Sequence, residues 1–310
     1  MKYFLGIEIG GTKLQLFVGD ETNQVLEQIR MDVTPDRSGE AIRSRIEASV
    51  RELQNAYRFS AVGVGFGGPV DWERGQIIQS HQVDGWSSFD LADWLEDLAR
   101  CPVSVENDAN VAALGEALLG SGKNYETVFY ITLGSGVGGG LIQAGSIYHG
   151  ARPGESEVGN LLLDRNGTTL ESVASGWAVD ARIRETVAAH PGCVLADLVS
   201  GSDKEARFLV PAMEKDDPLA ASILNDTAEY IAFGLSHVVH LFHPEILVLG
   251  GGLSLCGEAL RKEVDTRLGN YVMKAFRPAP RVLLAQLRED AVPIGALLMA
   301  REKLGRNNFE

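Results

Sequence analysis

Asp108 lies in VENDANVAALGEA (105–117), where an extended run passes into a helical one. A carboxylate at such a junction meets the positive end of the helix dipole and its free N–H groups, which keep it ionised. A base that accepts a hydroxyl proton could stand there, and so could a plain helix N-cap; spacing alone leaves both open. A second set of polar groups, Glu155, Glu157, Asn160 and Glu171, follows downstream. For Glu171 the run Thr168-x-x-Glu171 also fits a capping box at a helix start. Glu155 has no such pattern and reads as a solvated or structural carboxylate.

Glycine is the other unusual residue. The chain has 35 glycines, where average usage would give about 22. Clusters occur at Gly6/Gly10/Gly11, Gly63/Gly65/Gly67/Gly68, Gly134/Gly136/Gly138/Gly139/Gly140 and Gly250/Gly251/Gly252. Gly10-Gly11-Thr12-Lys13 reads as a hairpin tip whose N–H groups, hydroxyl and ammonium suit phosphate oxygens, with an ordinary hairpin turn as the alternative. Gly134-Ser135-Gly136-Val-Gly138-Gly139 matches GxGxxG, but the extended GLIQAGSIY follows it where a dinucleotide fold needs a helix. A glycine nest for phosphate is still open to it. Gly250-Gly251-Gly252 reads as a strand-to-helix turn, or as close approach to a flat ligand such as adenine or ribose. The chain has no GxxxxGK[ST] phosphate loop.

These groups need a scaffold, and the pattern supplies one. Residues 3–9, 13–18 and 24–32 read as a strand meander; Ile42, Ile46, Val50, Leu53 and Tyr57 mark a helix; residues 61–66 return as a strand. A helix over 90–100 with Asp90 as N-cap, strand PVSVE and a helix from about Ala109 follow. The second half repeats this order: strands at 127–133 and 140–143, helices near 169–189 and 217–242, strand EILVLG, a helix over 254–268, strand RVLLAQL and a last helix from about Pro293. That predicts an internally duplicated α/β protein of two lobes sharing a cleft. The expected lobes are 1–116, onto which the C-terminal helix 293–310 can fold back, and 117–292.

Composition narrows the function. With 42 acidic and 28 basic side chains the formal charge is −14, which disfavours nucleic acid and other extended polyanions. Three scattered cysteines fit neither a disulfide framework nor a metal knuckle, so a reduced, cytoplasmic setting is expected. No apolar run is long enough to span a bilayer or serve as a signal peptide, so no membrane partner is expected. His237, His240 and His243 form HxxHxxH before Pro244 and read as a helix end rather than a metal site.

Seven ordered motifs carry a resemblance: GIEIGGTK (6–13), GFGGPVD (65–71), VENDANVAALGEA (105–117), LGSGVGGGLIQAG (133–145), GESEVGN (154–160), TLESVASG (169–176) and VLGGGLS (248–254). Together they resemble the ROK family (repressors, open reading frames, kinases), over nearly the whole chain. The resemblance implies a two-lobed actin-like ATPase fold of the ribonuclease H-like type, with a mixed sheet flanked by helices in each lobe. It also implies a homodimer and ATP-dependent phosphorylation of a hexose, as in glucokinases. Asp108 is then the base, and Asn107, Glu157, Asn160, Glu171, Gly67 and Gly68 belong to the sugar side. Gly10, Gly11, Thr12, Lys13, Gly134, Ser135, Gly136, Gly138, Gly251 and Gly252 belong to ATP, and Glu8 to magnesium, directly or through water. A DNA-binding repressor is not expected, because the first strand starts by residue 3 and the chain is acidic.

Three positions depart from the family pattern. Glu8 replaces the usual aspartate, and Asn160 replaces a histidine, giving an amide that cannot act as an imidazole metal ligand. LLLDRNGTTLES replaces the usual cysteine-rich loop, so no structural zinc is expected. These departures motivate an alternative: a sugar-binding sensor of weakened catalytic power.

Overall fold

The computed structural model describes residues 1–33, 38–80, 83–152, 154, 156–202 and 204–306. Glu155, and the reading attached to it, lies outside them. The chain opens with strands β1 (Tyr3–Ile9), β2 (Lys13–Asp20) and β3 (Val25–Asp32), helix α1 (Gly39–Leu53), β4 (Phe59–Phe66) and the short β5 (Val70–Asp71) and β6 (Gln76–Ile77). Helix α2 (Leu91–Ala99), β7 (Val103–Asn107) and α3 (Asp108–Leu119) follow. Then come β8 (Thr127–Leu133), β9 (Val137–Gln143), β10 (Ser146–Ile147), α4 (Leu170–Ala174), α5 (Gly176–Ala189), α6 (Val194–Val199), α7 (Leu209–Met213) and α8 (Pro218–Phe242). The chain ends with β11 (Ile246–Gly250), α9 (Gly257–Tyr271), β12 (Arg281–Leu284) and α10 (Ala291–Arg306).

Two five-stranded sheets form, in the orders β3-β2-β1-β4-β7 and β10-β9-β8-β11-β12. In the first, β1 pairs antiparallel with β2 and parallel with β4, which pairs parallel with β7. In the second, β11 runs parallel to both β8 and β12. Compact units comprise Met1–Gly120, Gly140–Glu155 and Glu289–Glu310 on one side and Ser121–Gly139 and Ser156–Arg288 on the other.

In the first unit, alternation along β1 decides the packing. Leu5, Ile7 and Ile9 join a core with Ile42, Ile46 and Val50 of α1 and Leu91 and Leu95 of α2. Phe4 faces the other way, with Phe17, Leu297 and Ala300. Helix α10 lies so close to that second face that glycine is needed beneath it: a Cβ on Gly6 would come within 2.5 Å of the Pro293 carbonyl oxygen, and one on Gly63 would overlap that of Ala296. Part of the glycine surplus therefore serves helix-on-sheet packing and not ligand loops, a use the sequence pattern did not suggest.

Several local readings change. Asp90 holds the N-cap position of α2 without capping it; its Oδ1 accepts from Gln76 Nε2 at 2.7 Å instead. The single helix expected over 169–189 is two, broken at Ser175, whose side chain caps α5. The helix expected from 254 starts at Gly257, behind a 3₁₀ turn over Gly252–Cys256. Helix α8 matches its pattern, with Asp217 as N-cap and Pro218 in the first turn. His243 is its C-cap and stacks on Phe276, while His240 Nε2 accepts the Met273 N–H at 3.1 Å. The histidine repeat is thus used at the helix end.

Candidate functional site

In the first unit, β1, β4 and β7 run parallel and deliver their C-terminal ends together. Asn107, not Asp108, is the N-cap of α3: its Oδ1 accepts from the Ala109 and Asn110 N–H groups at 2.9 and 3.4 Å. That frees Asp108, the first helical residue, from capping duty. Asn107 Nδ2 donates to the Gly68 carbonyl at 3.2 Å. A Cβ on Gly67 would lie 3.3 Å from Asp108 Oδ2 and 3.7 Å from the Gly10 Cα, so the carboxylate sits over bare backbone beside the first glycine loop. Burial, reinforced by the Glu8 carboxylate, pushes the Asp108 carboxyl up to about 7.

Glu8, 5% exposed, is held on two sides: Gln15 Nε2 donates to Oε2, and Lys13 Nζ stands 3.6 Å from Oε1. Burial raises its carboxyl, and Lys13 opposes that rise. The Gly10 N–H donates to the Lys13 carbonyl at 3.0 Å, which closes the turn carrying Gly11 and Thr12. Lys13 therefore has a partner within the protein, something the hairpin pattern could not reveal.

The second unit holds another glycine loop. Gly134 N–H donates to the Gly136 carbonyl at 2.9 Å, and Gly176 N–H to the Gly134 carbonyl at 2.7 Å. Strand β9 follows at once, as the extended pattern requires. Glu171 Oε2 accepts the Val137 N–H at 2.8 Å and lies over Gly136. The capping box expected at Thr168 and Glu171 is made one residue later, by Thr169 and Ser172, which leaves Glu171 free to brace the loop.

A Cβ on Gly251, whose φ is +78°, would fall 2.5 Å from the Leu133 backbone nitrogen, whereas one on Gly252 or Gly134 would meet almost nothing. Gly251 is thus required by its neighbour strand, and Gly252 and Gly134 leave open backbone. Glu157 and Asn160 are exposed and adjacent, with Asn160 Nδ2 donating to Glu157 Oε2 at 2.9 Å. The loop between them and α4 is fixed by Asp164, which accepts from the Asn166 and Thr168 N–H groups and the Thr168 hydroxyl.

The structure therefore gathers Glu8, Gly10, Gly11, Thr12, Lys13, Gly67, Gly68, Asn107 and Asp108 in the first unit. It places Gly134, Ser135, Gly136, Gly138, Glu157, Asn160, Glu171, Gly251 and Gly252 in the second. Gln15, the clamp on Glu8, was missed by motif reading; the strand pattern held the signal, since residues 8 and 15 pair across β1 and β2. Among the described residues no group of three or more His, Cys, Asp or Glu is arranged to hold a metal. Glu8 is a carboxylate of the kind magnesium takes, one or two at a time with water and phosphate oxygens completing the shell, but its two oxygens already meet Gln15 and Lys13, so a bridging water suits the ion better than direct contact.

Such a sheet pair, with glycine loops at corresponding strand ends, defines an actin-like ATPase fold. The ROK family model matches residues 4–303. The glucokinase of Thermotoga maritima is 28% identical, over 97% of this chain and 98% of that protein. A ROK family glucokinase from Streptomyces griseus, solved with glucose and AMPPNP, is 32% identical over 97% of this chain and 99% of its own, with a TM-score of 0.84. A putative xylose repressor from a Caldicellulosiruptor species is 22% identical over 95% of this chain, which covers 77% of that protein. The chain belongs to the ROK family.

Proposed function

We propose that the protein is an ATP-dependent hexose kinase of glucokinase type, with Asp108 as general base. The observation that carries this is Asp108 itself, relieved of capping by Asn107, lying over Gly67 and holding a carboxyl raised to about 7. A base of that strength is matched to neutral pH. The Asp108 carboxylate accepts the proton of a sugar hydroxyl as that oxygen bonds to the γ-phosphorus and the bond to the departing ADP oxygen breaks. Phosphoryl transfer asks little else of a protein than positioning and charge neutralisation.

Asn107, Gly67, Gly68, Glu157, Asn160 and Glu171 are assigned to the sugar. The 10–13 and 134–138 loops are assigned to phosphate, through N–H groups other than those of Gly10, Gly134 and Val137, which donate within the protein, and Gly251 and Gly252 to the nucleoside. Magnesium, supported by Glu8 directly or through water, would neutralise charge on the phosphates. The glucokinase relatives and the AMPPNP-bound neighbour support this reading. It is tested by ADP release from Mg-ATP with glucose, fructose, mannose, N-acetylglucosamine and N-acetylmannosamine. Release with at least one is expected, and silence with all five from folded protein overturns it.

A second reading, a sugar sensor without useful turnover, is favoured by the clamp of Lys13 and Gln15 on Glu8 and by the repressor relative. Under it, Asp108→Asn leaves sugar affinity and any sugar-dependent readout unchanged, and wild-type protein releases no ADP.

A further inference from the structure

Glu106 precedes Asn107 at the end of β7, yet it is only 3% exposed. Its Oε1 accepts from the Asn107 N–H at 2.8 Å and from Asn110 Nδ2 at 3.2 Å. Its Oε2 meets Nε2 of His149. The imidazole is stacked on Trp72, with centroids 4.0 Å apart and planes 13° from parallel. Gly154, at φ +85°, allows the chain to fold back onto this stack: a Cβ there would stand 2.9 Å from the His149 carbonyl oxygen and 3.3 Å from Trp72 Nε1.

Asn107 is consequently held at every polar group the structure pairs. Its N–H goes to Glu106, its Oδ1 to the first N–H groups of α3, and its Nδ2 to Gly68. A carboxylate removed from water is costly unless fully paired, and an apolar side chain would brace the sheet at lower cost. No apolar side chain could accept the Asn107 N–H and the Asn110 amide together. The arrangement fixes the direction in which β7 hands over to α3, and so the direction of the Asp108 side chain.

We propose that Glu106 and His149 are positioning residues for the phosphoryl transfer: Glu106 sets the orientation of Asn107 and Asp108, and His149 locks the Glu106 carboxylate in place. Neither touches the reacting atoms. The inference rests on Asp108 being the base.

The test uses the full chain with Glu106→Gln, His149→Phe and the pair combined. Glutamine keeps an acceptor for the Asn107 N–H, and phenylalanine keeps the stack on Trp72, so both variants are designed to fold. Kinetics with Mg-ATP and the sugar that the wild-type protein phosphorylates are compared with calorimetric titration of that sugar alone. Each single variant is expected to lower kcat about tenfold and weaken sugar binding several-fold, with the KM for ATP unchanged within about twofold. The double variant is expected to fall within about twofold of the weaker single, since both act through one contact. Unchanged kcat and sugar affinity in folded variants overturns the proposal, as do single losses that multiply in the double, or an ATP KM that shifts as far as sugar binding. A wild-type protein that binds sugar without turning it over defeats the kinase reading, and the titrations then decide whether the pair braces sugar binding. One that binds none of the five sugars defeats both.

Discussion

The two sheets have the same strand order, so their loops correspond: the β1–β2 turn at Gly10-Gly11 matches the β8–β9 turn at Gly134–Gly136, and the turn after β4 at Gly67-Gly68 matches that after β11 at Gly250–Gly252. Their chemistry differs. The first sheet carries carboxylates at its strand ends: Glu8 on β1, Glu106 on β7 and Asp108 just beyond. In the second, the position matching Glu8 is Thr132, and β12 ends at Leu284, with the Ala285 N–H bonded to the Leu249 carbonyl. Two sheets of one strand order thus carry two glycine loops, one beside carboxylates at its own strand ends and the other braced by a carboxylate brought from a helix, Glu171.

The largest expected effect breaks the charged half. Asp108→Asn should lower kcat about 1,000-fold, within the range that removal of a general base produces, while calorimetric sugar affinity changes less than about threefold. Equal loss of both would reassign Asp108 from base to binding group. Next, Glu171 tests whether the second half is only a nucleotide cradle. Glu171→Ala should raise the KM for sugar about tenfold and that for ATP about threefold, since Oε2 braces Val137 and Oε1 is the oxygen assigned to a sugar hydroxyl. A shift in ATP KM alone would make Glu171 a loop brace.

Glycines of the second sheet separate packing from binding. Gly251→Ala puts a Cβ against the Leu133 backbone at positive φ and should cost about 2 kcal/mol, read as a lowered unfolding midpoint in urea. Gly252→Ala meets open space and should leave that midpoint unchanged while raising the KM for ATP a few-fold. Equal stability losses would remove the distinction.

A last test of the charged half concerns pH. The Asp108 carboxyl is raised from 3.8 to about 7 by burial and by Glu8. The folded state therefore holds a proton that the unfolded state has released, and stability falls as pH rises from about 4 through 7. In magnesium-free buffer Asp108→Asn should unfold at a higher temperature than wild type at pH 8, with the gap closing by pH 4. A gap that stays constant with pH would show that the carboxyl is not raised.

The fold was legible because its signals are local. Strand meanders, the α1 stripe at Ile42, Ile46 and Val50, and the Asp217-Pro218 start of α8 all declare themselves within a few residues. What the pattern missed is relational. Gly6 and Gly63 are strand glycines without an evident purpose until α10, more than 200 residues later, lies over them. Gln15 is an ordinary strand residue until register sets it against Glu8. Glu106 and His149, 43 residues apart in sequence, give no shared signal at all. At the site, NDAN marked the right neighbourhood, but the capping by Asn107 that frees Asp108 depends on side-chain geometry that spacing cannot encode.

The division between a charged sheet end and a backbone cradle is tested most directly by a crystal structure with glucose and a non-hydrolysable ATP analogue. The account predicts a sugar hydroxyl within hydrogen-bond reach of the Asp108 carboxylate, phosphates against the 10–13 and 134–138 loops, and the nucleoside against Gly252. A sugar bound out of reach of Asp108, or phosphates that contact neither loop, would contradict it.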